Sequence, residues 1–452
     1  MTTINKACAA RAHRRVALAT AVGTTIEWYD FFIYANAAAL VFAQLYFSPL
    51  EGTAATLVAF ATAGVSFVFR PLGAIWGGYL GDKLGRRAVL VLTLGLMGGA
   101  TFAIGLLPTY ATIGIAAPIL LVFLRILQGL SAGGEWGGAA LLAVEHAPDG
   151  QRGKFGVYPQ LGAPAGMVLA IGMITLLSTM LSDADFFAWG WRIPFLLSFA
   201  LIIAGIMIRR NVEESPVFME LKEKKAESAT PLVQLFRFNW RHVVLGALIF
   251  MGNGVGGYLL VGGYITSYAT GAVGMDRNTV LLAVVFASMT WLLFTWIGGP
   301  LSDRIGRKRT YQIGFTAQMA IAFPIFAFIN TGSFPMLLLA VILLSFGQGL
   351  TYGPQSALFC EMFPARVRYS GASIAYGLGS LIGGAFVPTI ATYLFSTTGT
   401  TASISIYLIG ASIVSISAVS IIKDRSKEPL EIPHPDAAAN SHTQPAEIHG
   451  PR

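Results

Sequence analysis

Charge is scarce in this chain. Asp, Glu, Lys and Arg make up 12% of 452 residues, against roughly 25% in a soluble globular protein. So few charges cannot cover the surface of a chain this long, so that surface must face lipid. Hydrophobic residues account for 55%. Cysteine is almost absent: Cys8 and Cys360 are too few for a disulfide framework and lack metal-ligand spacing. No metal-binding or cofactor motif and no nucleophile–base set stands out, which argues against an enzyme and leaves no cofactor to expect. The net charge of +8 would suggest nucleic acid in a soluble protein. Here the placement of the charges matters more than their sum, and no nucleic-acid partner is expected. Lys6, Arg11, Arg14 and Arg15 precede the first apolar run, but no small-residue cleavage site follows it, so the run reads as a retained helix.

What is abundant is long apolar sequence. A spanning helix needs about 20 such residues. Twelve stretches qualify, centred on 17–43, 56–80, 88–107, 113–143, 155–181, 189–208, 242–269, 279–300, 311–330, 335–360, 370–396 and 403–422. They are continuous rather than alternating, which excludes a membrane barrel. With a cytoplasmic N-terminus and twelve spans, 26 of the 30 basic residues fall on one side, in 1–15, 83–87, 152–154, 209–241, 304–309, 366–368 and 423–452. Only Arg192 and Arg277 fall on the other, and Arg70 and Arg125 lie within spans. That bias is the positive-inside pattern, and a missed span would destroy it. The expected organisation is a cytoplasmic N-terminus (1–15), a six-helix bundle (16–208), a cytoplasmic linker (209–241), a second six-helix bundle (242–422) and a disordered tail (423–452).

The two halves repeat each other. Gly78-Tyr79-Leu80-Gly81-Asp82-Lys83-Leu84-Gly85-Arg86-Arg87 follows the second span. Gly299-Pro300-Leu301-Ser302-Asp303-Arg304-Ile305-Gly306-Arg307-Lys308 follows the eighth. Gln128-Gly129-Leu130 recurs as Gln348-Gly349-Leu350, and Glu145 and Arg152 recur as Glu361 and Arg368. Parallel repeats of this kind build one large class of secondary transporters.

The doubled G-x-L-x-D-x-x-G-R-[RK] loop resembles the signature of the major facilitator superfamily. Ile26-Glu27-Trp28-Tyr29-Asp30-Phe31-Phe32, Phe69-Arg70-Pro71-Leu72-Gly73, Arg125-Ile126-Leu127-Gln128-Gly129, Gly133-Gly134-Glu135-Trp136-Gly137-Gly138 and Trp189-Gly190-Trp191-Arg192-Ile193-Pro194 resemble its metabolite:proton symporter branch. That branch carries shikimate, 2-oxoglutarate, citrate, other dicarboxylates, and proline or betaine. The resemblance implies that Asp82, Arg86, Arg87, Asp303 and Arg307 latch the halves in one access state, with Glu135 near the cytoplasmic mouth. Glu145, Arg152, Glu361 and Arg368 would extend the same gating network. The physics is attraction of an acid to a helix N-terminus and to nearby arginines.

A charge at mid-bilayer is costly and needs a partner or a function. Glu27, Asp30, Arg70, Arg125 and Glu135 lie well within spans, all in the first half. The repeat places Ser345 where the first half has Arg125, so the scaffold itself does not require an arginine. Glu27 and Asp30 share a helix face, where two carboxylates repel and a shared proton relieves the repulsion. They are the expected proton carriers, or else structural partners of Arg70 or Arg125. Arg125 and Arg70 are the expected anchors for a substrate carboxylate. Tyr34, Gln160, Asn253 and Gln355 are expected to line the cavity, because buried polar groups at lipid depth need partners.

The expected function is proton-coupled import of a small organic acid by alternating access across a bacterial inner membrane. The expected partners are the substrate, protons and lipid, and the expected state is a monomer. A proline/betaine-type importer is the alternative, although residues 423–452 show no heptads. An efflux antiporter and a passive channel remain as further readings.

Overall fold

The computed structural model describes residues 3–49, 52–210, 219, 231–261 and 263–430. All regular structure among them is helical, as expected where lipid offers the backbone no hydrogen-bond partners. The first half contains α1 (Thr3–Ala37, continued by one π turn), α2 (Gly52–Leu84), α3 (Arg86–Leu106), α4 (Ala116–Glu145), α5 (Arg152–Gln160), α6 (Gly162–Met180) and α7 (Ile193–Arg210). The second contains α8 (Trp240–Val261), α9 (Tyr264–Gly271), α10 (Arg277–Ile305), α11 (Arg307–Ile321), α12 (Phe334–Tyr352), α13 (Gln355–Met362), α14 (Arg368–Gly383), α15 (Val387–Thr398) and α16 (Ala402–Ile421). Shorter turns connect them.

Nine stretches among the described residues are long and apolar enough to cross a membrane. The expected spans at 17–43 and 56–80 correspond to α1 and α2, helices of 35 and 33 residues. The expected span 311–330 is interrupted. α11 stops at Ile321 and a new turn, Pro324–Ile329, begins after Phe323, because Pro324 has no N–H to continue the ladder.

Two expected boundaries move. Arg209 is not in a polar linker: α7 runs on to Arg210 and buries Arg209. Pro231–Phe238 is helical before α8 begins, while 211–218 and 220–230 lie outside the described residues. The tail expected to be disordered from 423 is placed as far as 430, against the end of the bundle that carries the repeated loops. Residues 431–452 lie outside the described residues.

The repeated loop makes the same turn twice. Gly85 (φ 101°) separates α2 from α3, and Gly306 (φ 94°) separates α10 from α11. Only glycine adopts that backbone without strain, which explains its place in both copies.

Within the first half, α2 and α4 meet through small residues. A Cβ at Gly133 would stand 2.0 Å from the carbonyl of Arg70, and one at Gly73 would stand 2.0 Å from that of Leu130. At Gly77 it would lie 2.4 Å from the Gly134 Cα. The two backbones touch, as small residues permit in membrane helices. This seam brings the backbones of the two helices that carry Arg70 and Arg125 into direct contact.

Candidate functional site

The two halves are joined by ion pairs at the end where most basic residues lie, and the repeat dictates their pattern. Glu145, at the end of α4, pairs with Arg86 of its own half (3.6 Å) and with Arg368 of the other (3.2 Å). Glu361, at the end of α13, pairs with Arg307 of its own half (2.9 Å) and Arg152 of the other (3.3 Å). Each carboxylate thus holds one arginine from each half. The two aspartates do the same with helix N-termini. Asp303 accepts the backbone N–H groups of Gly153 and Lys154, at 2.8 and 2.9 Å, where α5 begins. Asp82 accepts the Ser370 hydroxyl at 2.7 Å, where α14 begins. A carboxylate there meets the positive end of the helix dipole. Arg307 also pairs with Asp303 at 2.8 Å. Arg87 lines a small recess with Thr20, Leu90 and Arg209.

Residues 423–430 join this network. Arg152 donates to the backbone carbonyls of Ser426 (3.0 Å) and Glu428. Asp424 accepts the Lys308 N–H at the start of α11, at 3.3 Å. Burial works against the charge on Asp424. Hydrogen bonds from Ser426 and Lys308, with the Arg307 charge, outweigh it and hold the carboxyl below its usual range.

Removing one carboxylate leaves two arginines without it, so Glu145→Gln is expected to loosen this end. Cys360 is a buried free thiol beside Glu361 and can report the change. In a Cys8→Ser background, Glu145→Gln should speed its alkylation by N-ethylmaleimide by about tenfold or more, the usual size of a coupled opening. An unchanged rate would refute the latch.

The charges within the spans separate into three settings. Glu135 of α4 is fully buried and pairs with Arg209 of α7. Thr93 of α3 donates to its other oxygen at 3.2 Å. Glu135 therefore lies in a tie between three helices, and Arg209, assigned from sequence to the linker, is its counter-ion. A lone carboxylate in a span with the nearest unassigned cation at a span end was the available signal.

Asp30 pairs with neither Arg70 nor Arg125, against the structural alternative drawn from sequence. It is fully buried, and its oxygens accept hydroxyls from Ser198 of α7 (2.6 Å) and Thr101 of α3 (2.8 Å). Arg125 is also fully buried. It donates to Gln128 (2.7 Å), Ser66 (2.8 Å) and the Thr62 carbonyl (3.3 Å). Its guanidinium lies 3.8 Å from the Tyr34 ring centre, and Tyr34 hydrogen-bonds Thr62 at 2.7 Å. Tyr34 thus serves Arg125.

Arg70 is different. Its guanidinium lies over Phe67 at 4.2 Å and near Trp28 and Phe31 at 5.6 and 5.7 Å. Tyr258 and Tyr376 face it from the second half, and Glu27 from the first. None of the ion pairs among the described residues includes it. Its Nε has no hydrogen-bond partner, nor does Oε2 of Glu27, while the Tyr258 and Tyr376 hydroxyls lie within reach of the guanidinium. Unsatisfied buried polar atoms are rare, and these gather around one cation between the halves. Tyr376 stacks on Trp136, centroids 4.1 Å apart at 7°. Trp136 donates to Gln160 at 2.9 Å, and Gln160 donates to the Tyr352 carbonyl at 3.1 Å. Gln160 thus borders this centre and bridges the halves. Sequence alone gave no reason to prefer Tyr258, Tyr352 or Tyr376 over other membrane aromatics.

Asn253 and Gln355 belong to an amide network of the second half. Gln318 donates to Gln348 at 2.9 Å, Gln348 to the Asn253 carbonyl at 3.0 Å, and Asn253 to Thr351 and Gln355 at 3.2 and 3.4 Å. Gln355 keeps an unpartnered Nε2. Gln348 repeats Gln128, while Ser345 stands where the first half has Arg125.

Comparison with known proteins fits this geometry. The family profile described as Major Facilitator Superfamily matches residues 20–388 and 292–447. The inner membrane metabolite transport protein YhjE of Escherichia coli K12 is 41% identical over 416 residues, 90% of this chain and 93% of that protein. The shikimate transporter of the same organism is 38% identical, covering 92% and 95%. Its proline/betaine transporter is 31% identical, covering 94% and 86%. Among solved structures, the proton:xylose symporter XylE superposes with a TM-score of 0.78 at 18% identity, covering 93% of this chain and 98% of that one. That likeness concerns the fold alone.

Proposed function

The chain belongs to the Major Facilitator Superfamily, among its multi-pass membrane transporters of metabolites, and on that premise we propose that it imports a small organic acid together with a proton. The membrane is a bacterial inner membrane, with the latch at its cytoplasmic face. The observation that carries this reading is Arg70. It is a buried cation between the halves, outside every ion pair among the described residues and facing two tyrosines of the other half. A buried charge of this kind is stable only if something pairs with it, and a substrate carboxylate is the fitting group. The planar guanidinium accepts a carboxylate through two parallel hydrogen bonds. Trp28, Phe31, Phe67, Tyr258 and Tyr376 would enclose the organic part, and Gln160 and Gln355 would supply amide contacts.

The proton sits on Asp30, with Glu27, which faces Arg70, as a second carboxylate on the same helix. Proton and substrate bind from the outside, the outer side closes, the latch at the basic end releases, and both leave inward. Arg125, the first choice from sequence, is fully occupied within its own half and serves the proton site instead. Arg70 replaces it as the substrate anchor. The alternating-access movement is a rocking of 16–208 against 242–422 about the Arg70 centre.

Purified protein in liposomes tests the reading. An inside-alkaline gradient should drive accumulation of a shikimate-like, aromatic or dicarboxylic acid from a panel, and proline and betaine should compete poorly. Asp30→Asn should abolish accumulation while leaving exchange of labelled for unlabelled substrate. Glu27→Gln should weaken accumulation. Undiminished gradient-driven uptake in both variants refutes the carrier assignment, and preference for betaine favours the compatible-solute alternative.

A further inference from the structure

Asp30 and Arg125 do not touch, yet an unbroken line of hydrogen bonds joins them. Arg125 donates to the Gln128 oxygen at 2.7 Å, the Gln128 amide donates to the Thr101 hydroxyl at 2.8 Å, and that hydroxyl donates to Asp30 at 2.8 Å. While Asp30 is ionised, the direction of each link is forced. A guanidinium can only donate, so the Gln128 oxygen must face it and the amide N–H must face Thr101. Thr101 then has its hydrogen left for Asp30. The line runs from a cation to an anion with every donor pointing the same way, the arrangement in which hydrogen bonds strengthen one another.

Protonation of Asp30 breaks that polarity. A carboxylic acid must donate its own hydrogen. If the proton rests on the oxygen facing Thr101, that hydroxyl must accept and turn its hydrogen elsewhere. An alternative acceptor is in place: the Met97 carbonyl, 3.0 Å away. Ser198, on the other oxygen, likewise has the Pro194 carbonyl at 3.4 Å. Both hydroxyls can therefore release the carboxyl without losing a partner. The other titratable groups that act on Asp30 are Glu27 and Tyr29 on its own helix and Glu135 on α4. None of them interrupts the line.

We infer that Gln128 and Thr101 are the positioning residues that couple the proton on Asp30 to the substrate site, through the hold of Arg125 on α2. This rests on the symport reading above. Arg125 grips α2 at Thr62 and Ser66, and Arg70 lies one turn beyond Ser66 on the same helix face. When Asp30 takes a proton, the pull on Gln128 slackens, Arg125 shifts its grip on α2, and Arg70 changes its readiness to hold a carboxylate. When the substrate leaves, the sequence reverses and the proton is released.

Thr101→Val and Gln128→Leu remove the links while keeping size and leaving Asp30, Arg125 and Arg70 in place. Each should lower gradient-driven accumulation by about tenfold, a common size for coupling between sites, with substrate exchange at equal pH within about threefold. Thr101→Ser restores a hydroxyl and should restore accumulation. Equal loss of accumulation and exchange would make these residues merely structural and overturn the inference, as would unchanged accumulation. A second readout is independent of transport. Infrared difference spectra of the purified protein against pH follow the carboxyl band removed by Asp30→Asn. Its midpoint should move by at least about half a pH unit in Thr101→Val and Gln128→Leu, and a fixed midpoint overturns the relay. Absence of gradient-driven uptake in the wild type together with a moving midpoint would reject symport but keep the link.

Discussion

Arg70→Gln is expected to reduce substrate uptake by about a hundredfold or more. Losing one partner of a buried charge pair costs roughly 2–5 kcal/mol, and a hundredfold corresponds to about 2.7 kcal/mol. Arg70→Lys should fall between, since a lysine keeps the charge but not the planar fork. Stability separates this effect from simple unfolding. With no substrate bound, Arg70 is a buried cation with an unpartnered Nε, and neutralising it relieves a desolvation cost. Thermal unfolding in detergent should therefore occur at the same or a higher temperature in Arg70→Gln. A variant that loses both activity and melting temperature would place Arg70 in the scaffold. One that transports normally would move the carboxylate elsewhere.

Glu135 and Arg209 should behave in the opposite way. Their buried pair ties α4 to α7, while Thr93 and the Leu90 carbonyl complete the contacts from α3. Glu135→Gln or Arg209→Met alone leaves one buried charge unpaired, at a cost of about 3–5 kcal/mol. The melting temperature should drop by several degrees in either single variant. The double variant Glu135→Leu with Arg209→Met should recover most of that loss, because two well-packed apolar groups replace a desolvated pair at little net cost. A double variant as unstable as the sum of the singles would show two independent roles.

Much of the architecture could be read from the chain. Apolar length and the bias in basic residues revealed a helical membrane protein, and the doubled loop revealed its repeat. The repeat also pointed to the pattern of ion pairs at that end, because residues that recur at one offset meet equivalent partners: Glu145 with Arg368, and Glu361 with Arg152. What stayed hidden was direction around a helix. Asp30, Arg70, Arg125 and Glu135 could be singled out by the cost of burying charge, yet that cost does not say which neighbour removes it. Asp30 found two hydroxyls, Thr101 and Ser198, which are ordinary residues in any membrane helix. Glu135 found Arg209, whose position at a span end resembled a topology signal. Arg125 looked the stronger candidate in sequence, because the repeat places Ser345 at its equivalent, and only the surroundings separate a guanidinium facing the other half, Arg70, from one enclosed in its own, Arg125. Pro324 announced the break in α11, but an apolar run on both sides masked it.

The seam between α2 and α4 has a mechanical consequence. Where Gly133 meets the Arg70 carbonyl and Gly73 meets that of Leu130, no side chain lies between the helices to bend or change rotamer. Most helix contacts have such a cushion and absorb a small displacement before passing it on. This one has none, so the two helices behave as a single stiff beam carrying Arg125 on one edge and Arg70 on the other. On the proposed symport reading, a cushion inserted there, even one methyl wide, would add slack between the proton side and the substrate side. The protein would still fold around it if the helices could spread, but it would turn over like a machine with a worn joint, spending protons without always moving cargo.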